Sequence, residues 1–297
     1  MTPWALSLLV LVVTVVFFCY WGAGVILHPP AMSRLTVFPE QFGLPHERIQ
    51  FKTSDGLTLK GWWIAAPEPA ERRTLLLCHG WGDNKGELLR ETAFLHEAGF
   101  NLLYFDSRSH GDSEGEITTI GYLETLDFEA AIRFLAQAKP DHARRLGVFG
   151  FSMGAAVACM AVPKHPEVKA VVLESPFTDY RRVVRQYAWN HFHLPYFPLV
   201  KLSLLFLRAR VGTSKVDSYS PRRFVSELSP RPVLMIAGSE DILMPEWDVR
   251  ALFALAKEPK SLWVIHGASH GKCRQVAGLE YEARVAGFFR RHLAAAA

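Results

Sequence analysis

The stretch RLGVFGFSMGAAVACMAV, residues 145–162, changes character at its middle. Arg145–Phe149 is a short apolar run of the kind that forms a buried strand, whereas Met153–Val162 is Ala-rich and free of proline, as a helix is. Between them stands Gly150-Phe151-Ser152-Met153-Gly154. A strand that turns directly into a helix needs glycine around the turn, because strand and helix approach too closely for a Cβ. Such a turn holds the Ser152 hydroxyl out beyond the carboxyl end of the strand.

On either side, apolar runs alternate with helical patterns. Thr74–Cys78, Asn101–Phe105, Val168–Leu173, Pro232–Ala237 and Ser261–Ile265 join Arg145–Phe149 as strands buried on both faces. Lys85–Ala98, Tyr122–Ala138, Glu246–Ala256 and Tyr281–Leu293 carry helical spacing. Two further strands, Arg48–Thr53 and Leu57–Ala65, are joined through Ser54-Asp55-Gly56, a hairpin signal. The alternation predicts an α/β fold with a mostly parallel, doubly wound sheet over residues 47–297. Phe177–Ser229 breaks the rhythm, with about fifty residues where one helix would suffice. It carries nine Lys/Arg against three acids (Asp179, Asp217, Glu227) and ten aromatics, so a lid or binding insertion is expected there.

A serine hydroxyl is a poor nucleophile at neutral pH and needs a base to take its proton. His270, in the Gly267–Gly271 loop after the last strand, fits that role better than His266, which ends the strand itself. The imidazole needs a carboxylate to fix its tautomer, and Asp241 lies just beyond Pro232–Ala237, with Glu240 and Asp248 as alternatives. A tetrahedral intermediate also needs donors for its oxyanion, and the backbone N–H groups of Trp81 and Met153 are the expected pair. His79 is read as a loop-shaping residue rather than a second base.

The order Ser152, Asp241, His270 is that of the α/β-hydrolases. The chain from about Arg48 to Leu293 resembles a serine esterase or lipase of that fold, and more narrowly the membrane-anchored serine aminopeptidase-like and Bem46-like hydrolases. The resemblance rests on His79-Gly80-Trp81-Gly82-Asp83-Asn84-Lys85, the Asp106–Ser113 segment, the Ser152 turn, Glu174-Ser175-Pro176-Phe177 and the Asp241 and His270 loops. It implies an α/β-hydrolase fold with a helical cap at about 177–229, and a structural rather than catalytic Asp106. It leaves the bond cleaved open among esters, thioesters and amides.

Trp4–Leu27 is 24 residues long without a charge, enough to cross a hydrocarbon core of roughly 30 Å. It is longer than a signal-peptide core and lacks a basic n-region, so a single transmembrane helix over 4–27 is expected, with Tyr20 and Trp21 at the interface. Arg34, Arg48 and Lys52 follow it and no Lys or Arg precedes it, which points to a cytoplasmic catalytic domain. A Pro-punctuated, extended connector is expected over 28–46.

The 33 Lys+Arg against 29 Asp+Glu give a net charge of +4, too small and dispersed to argue for nucleic acid. Four isolated cysteines make neither a disulfide framework nor a zinc site. The twelve histidines form no His-Glu-x-x-His, and no Gly-rich phosphate loop appears, so neither a metal nor a cofactor is expected. The expected function is a membrane-anchored serine hydrolase acting through an acyl-enzyme on Ser152, with a small-molecule or lipid-like acyl substrate. Peptidase, amidase and acyltransferase chemistry on the same residues are alternatives, as is a non-catalytic binding protein of this fold.

Overall fold

The structure, a computed structural model, describes residues 2–28, 35–67, 73–216 and 218–294. Pro29, Pro30, Arg34 and Asp217 therefore lie outside the described residues.

All eight expected strands form. They are β1 (Glu47–Lys52), β2 (Thr58–Ile64), β3 (Arg73–Cys78), β4 (Asn101–Phe105), β5 (Arg145–Phe151), β6 (Val168–Glu174), β7 (Val233–Gly238) and β8 (Lys260–Ile265). They make one sheet in the order β1-β2-β4-β3-β5-β6-β7-β8. The β1–β2 and β2–β4 pairs are antiparallel; every pair from β4 to β8 is parallel. β5 runs two residues further than expected, because Phe151 still pairs with Glu174 on β6.

Helices cover both faces, as a sheet buried on both sides requires. After the N-terminal α1 (Pro3–Leu27), α2 (Lys85–Thr92) and α3 (Phe94–Glu97) pack with α10 (Leu279–His292) on one face. The other face holds α4 (Glu124–Ala138), α5 (Met153–Ala161) and α8 (Glu246–Leu255). The single helix expected over Lys85–Ala98 is two, broken at Ala93. Thr92 there turns its hydroxyl back to the Leu88 carbonyl (2.6 Å) and meets the Tyr104 hydroxyl, a back-bond that bends helices. A short α9 (Cys273–Ala277), with no clear periodicity to announce it, precedes α10. The connector is not wholly extended either: Pro39–Phe42 closes a 3-10 turn, which the Gln41 side chain caps by accepting from the Phe38 amide (2.8 Å).

The insertion between β6 and β7 folds into α6 (Tyr180–Phe192) and α7 (Lys201–Val211), joined through an irregular turn at Tyr196–Val200. The carboxyl-terminal third of α1 packs on them. Cys19, Ala23, Ile26 and Leu27 are buried, and a third cluster of apolar side chains unites that end with Val184, Leu204 and Leu207. Most side chains on the remainder of α1 are exposed. It is the one helix among the described residues long and apolar enough to cross a membrane.

Candidate active site

Ser152 stands where β5 ends and α5 begins, with φ 52° and ψ −112°, a backbone conformation that L-residues seldom adopt. Its amide donates to the Glu174 carbonyl (2.9 Å), and its carbonyl accepts from the Ala156 amide (3.1 Å). The flanking glycines are there for space. A Cβ on Gly154 would stand 2.1 Å from the Cys78 carbonyl oxygen, and one on Gly150 would stand 2.5 Å from that of Gly154.

His270 follows β8, and its Nε2 lies 3.2 Å from the Ser152 Oγ. Its Nδ1 lies 2.7 Å from the Asp241 Oδ2. An ionised Asp241 makes Nδ1 the donor, which leaves Nε2 to accept from the Ser152 hydroxyl. Asp241 is buried at 3% exposure, so its charge must be met by hydrogen bonds. The amides of Leu243 (3.0 Å) and Met244 (2.8 Å) donate to Oδ1, and the Ser175 hydroxyl (3.0 Å) donates to Oδ2 alongside His270. Ser175 is a supporting residue that the sequence placed in a matching segment without assigning it a role. Its position directly after a central strand was the one available signal.

The alternatives stand elsewhere. His266 and Glu240 are exposed. Asp248 is occupied at the base of the insertion, accepting from the Thr178 amide (2.9 Å) and paired with Arg182. His79 is engaged on both ring nitrogens: Nδ1 donates to the Gly80 carbonyl (2.7 Å) and Nε2 accepts from the Ser107 amide (3.0 Å). Burial, with His110 and Lys85 nearby, pushes its imidazole down to about 3 and keeps it neutral. Asp106 is fully buried and paired with Lys85, and it accepts the amides of Lys85 (2.8 Å) and Asp112 (2.9 Å). It ties two loops together.

Trp81 and Met153 line the same cavity as Ser152 and His270, and among the described residues no acceptor is recorded for either backbone amide. Trp81 is held from outside the domain, since its Nε1 donates to the Ile26 carbonyl (3.2 Å) at the end of α1. The cavity is about 220 Å³, with Ile26, Ile120, Val184 and Tyr187 as apolar wall. Beyond His270, behind the Phe151 ring (5.0 Å between centroids), a second cavity of about 260 Å³ carries Asp83, Glu87, Glu91 and Glu174. Burial pushes the carboxyls of Asp83 and Glu174 each up to about 7. Among the described residues no group of His, Cys, Asp and Glu is arranged to hold a metal ion.

A model of the family described as serine aminopeptidase, S33, matches residues 69–229. Uncharacterized protein MT2364 of Mycobacterium tuberculosis is 31% identical over 223 residues, which cover 75% of this chain and 71% of that protein. Protein bem46 of Schizosaccharomyces pombe is 24% identical over 225 residues, covering 75% and 69%. Among solved structures, the Pyrococcus furiosus esterase Pf2001 superposes with a TM-score of 0.74 at 27% identity, over 91% of this chain and 99% of that one. The chain belongs to the serine aminopeptidase (S33) family and is a serine hydrolase of the α/β-hydrolase fold, esterase-like in structure.

Proposed function

We propose that the protein is a membrane-tethered carboxylester hydrolase that works through an acyl-enzyme on Ser152. The observation that carries this is the unbroken hydrogen-bonded chain from the Ser152 Oγ through His270 to a buried Asp241. Ser152 attacks the ester carbonyl carbon while its proton passes to the His270 Nε2. The oxyanion takes hydrogen bonds from the amides of Trp81 and Met153, each such donor contributing about 3–4 kcal/mol. The C–O bond then breaks, and the alcohol leaves with the proton from His270. Water attacks the acyl-enzyme, again through His270, releasing the acid and restoring Ser152. Asp241 holds His270 in the tautomer that both steps need. The insertion acts as a cap over this site, and α1 as the anchor that keeps the domain at a bilayer, on its cytoplasmic face.

An aminopeptidase reading is favoured by one observation, the acidic cavity beside His270, where a substrate ammonium would be attracted. The two readings separate on p-nitrophenyl esters against aminoacyl p-nitroanilides. The ester reading predicts turnover of the esters alone. It also predicts that Asp241→Asn lowers kcat by about 10⁴, as expected when a histidine loses its orienting carboxylate, while Glu240→Gln stays within tenfold. Turnover of the anilides alone, or full activity in Asp241→Asn, would overturn it.

A further inference from the structure

A groove of about 350 Å³ runs between α1 and the α6–α7 pair, and it meets the Ser152 cavity. Ile26, Val184 and Tyr187 line both. Its walls are hydrocarbon and aromatic carbon, from Phe18 and Val25 on α1 to Ala188 and Leu199 on the other side. Of the polar side chains on this lining, three are engaged with the backbone, and Trp21 and Tyr187 add an indole N–H and a phenol hydroxyl. The hydroxyls of Thr14 and Ser203 and the thiol of Cys19 donate to the carbonyls of Val10, Leu199 and Leu199 respectively. Such a surface, mostly hydrocarbon, binds alkyl chains.

The depth of the groove says where its contents come from. Crossing a hydrocarbon core of about 30 Å takes roughly 20 helical residues. Counted from Pro3, the start of α1, that length ends near Gly22. The outer part of the groove, from Thr14 to Gly22, then lies at hydrocarbon depth, while Ile26 stands at the Ser152 cavity. The surface around it matches an interfacial rim. Tyr20, Trp21, Phe192, Phe197 and Leu205 are exposed. Arg210 stacks over Tyr20 with its guanidinium carbon 3.8 Å from the ring centroid, and the Lys201 ammonium lies 5.9 Å from the Phe197 ring. Aromatic rings with cations beside them are what the boundary between lipid tails and head groups selects.

Resting on the esterase reading above, we infer that the groove is the acyl-chain site: a long-chain ester enters sideways from the bilayer, its alkyl tail lying between α1 and α6 and its carbonyl at Ser152. The anchor helix is thereby one wall of the substrate site. The two cavities, which share Ile26, Val184 and Tyr187 as walls, together fall within the range of small-molecule sites.

The test uses the full-length chain in phosphatidylcholine vesicles and an alkyl fluorophosphonate with a diazirine at the end of a long chain. Ser152 displaces fluoride from phosphorus, and irradiation then marks whatever the tail touches. Cross-links from Ser152-bound probe to residues 14–22 of α1 and to 188–203 are the expected result. Probe bound at Ser152 with its tail cross-linked elsewhere on the protein, or to lipid alone, overturns the acyl-chain site and leaves the esterase reading standing. No probe on Ser152 overturns both. As an independent arm, Val25→Trp and Ala188→Trp, which fill the groove, are expected to lower the ratio of palmitate to butyrate ester hydrolysis at least tenfold. An unchanged ratio overturns the inference.

Discussion

Ser152 is held in an unfavourable backbone conformation, at a cost of about 1–3 kcal/mol. The hydrogen bonds to Glu174 and Ala156 and the two close-packed glycines over-determine it, which is how such strain persists. The carboxyls behind His270 are a second departure from ordinary chemistry. Asp83 is pushed up to about 7 by burial, with Glu87 and Asp106 adding to it. Glu174 reaches about 7 by burial too, against the hydrogen bond it accepts from the Tyr281 hydroxyl. In the unfolded chain both titrate near 4. Between about pH 4 and about pH 7 the folded protein therefore holds protons that the unfolded chain has released, and stability falls as pH rises through that window. Above it the loss is complete. We expect the urea midpoint to drop from pH 5 to pH 7.5, and the drop to shrink in Asp83→Asn combined with Glu174→Gln. A midpoint that rises over this interval in the wild type would contradict the assignment.

At the scale of elements, α1 has two different halves. Its outer part leaves Leu9, Leu11 and Phe17 exposed, whereas Ala23 is fully buried against the insertion. Gly22 keeps the approach close, since a Cβ there would meet the Ser203 hydroxyl at 3.1 Å. Enlarging a residue at the docked end forces side chains out of their rotamers, at about 1–3 kcal/mol. Ala23→Phe is thus expected to lower the thermal midpoint of the detergent-solubilised full chain by roughly 2–4 °C per kcal/mol, and Leu9→Phe to leave it unchanged. Equal effects from the two would mean that α1 is a tether and packs on nothing.

For the molecule as a whole, the sheet was the most legible part. The six later strands are written as short apolar runs, and the two at the antiparallel edge were marked by the turn between them. Ser152, Asp241 and His270 could be picked out because each sits just past the end of a strand, at an edge where loops converge. The docking of α1 was not legible. A helix apolar all round has no stripe to mark the face it buries, and the partner helices begin about 150 residues further along the chain. Ser175 was hidden for a related reason: its role depends on β6 and β7 being neighbours, which only the assembled sheet provides. The division of labour among these parts converges on one chemical claim, an activated hydroxyl at residue 152. The most direct measurement is labelling of the folded full-length protein with a fluorophosphonate, alongside Ser152→Ala and His270→Ala. Labelling of the wild type, none in Ser152→Ala and slowing by at least a hundredfold in His270→Ala is the predicted result. A folded wild type that stays unlabelled, or a Ser152→Ala variant that labels as fast, would contradict it.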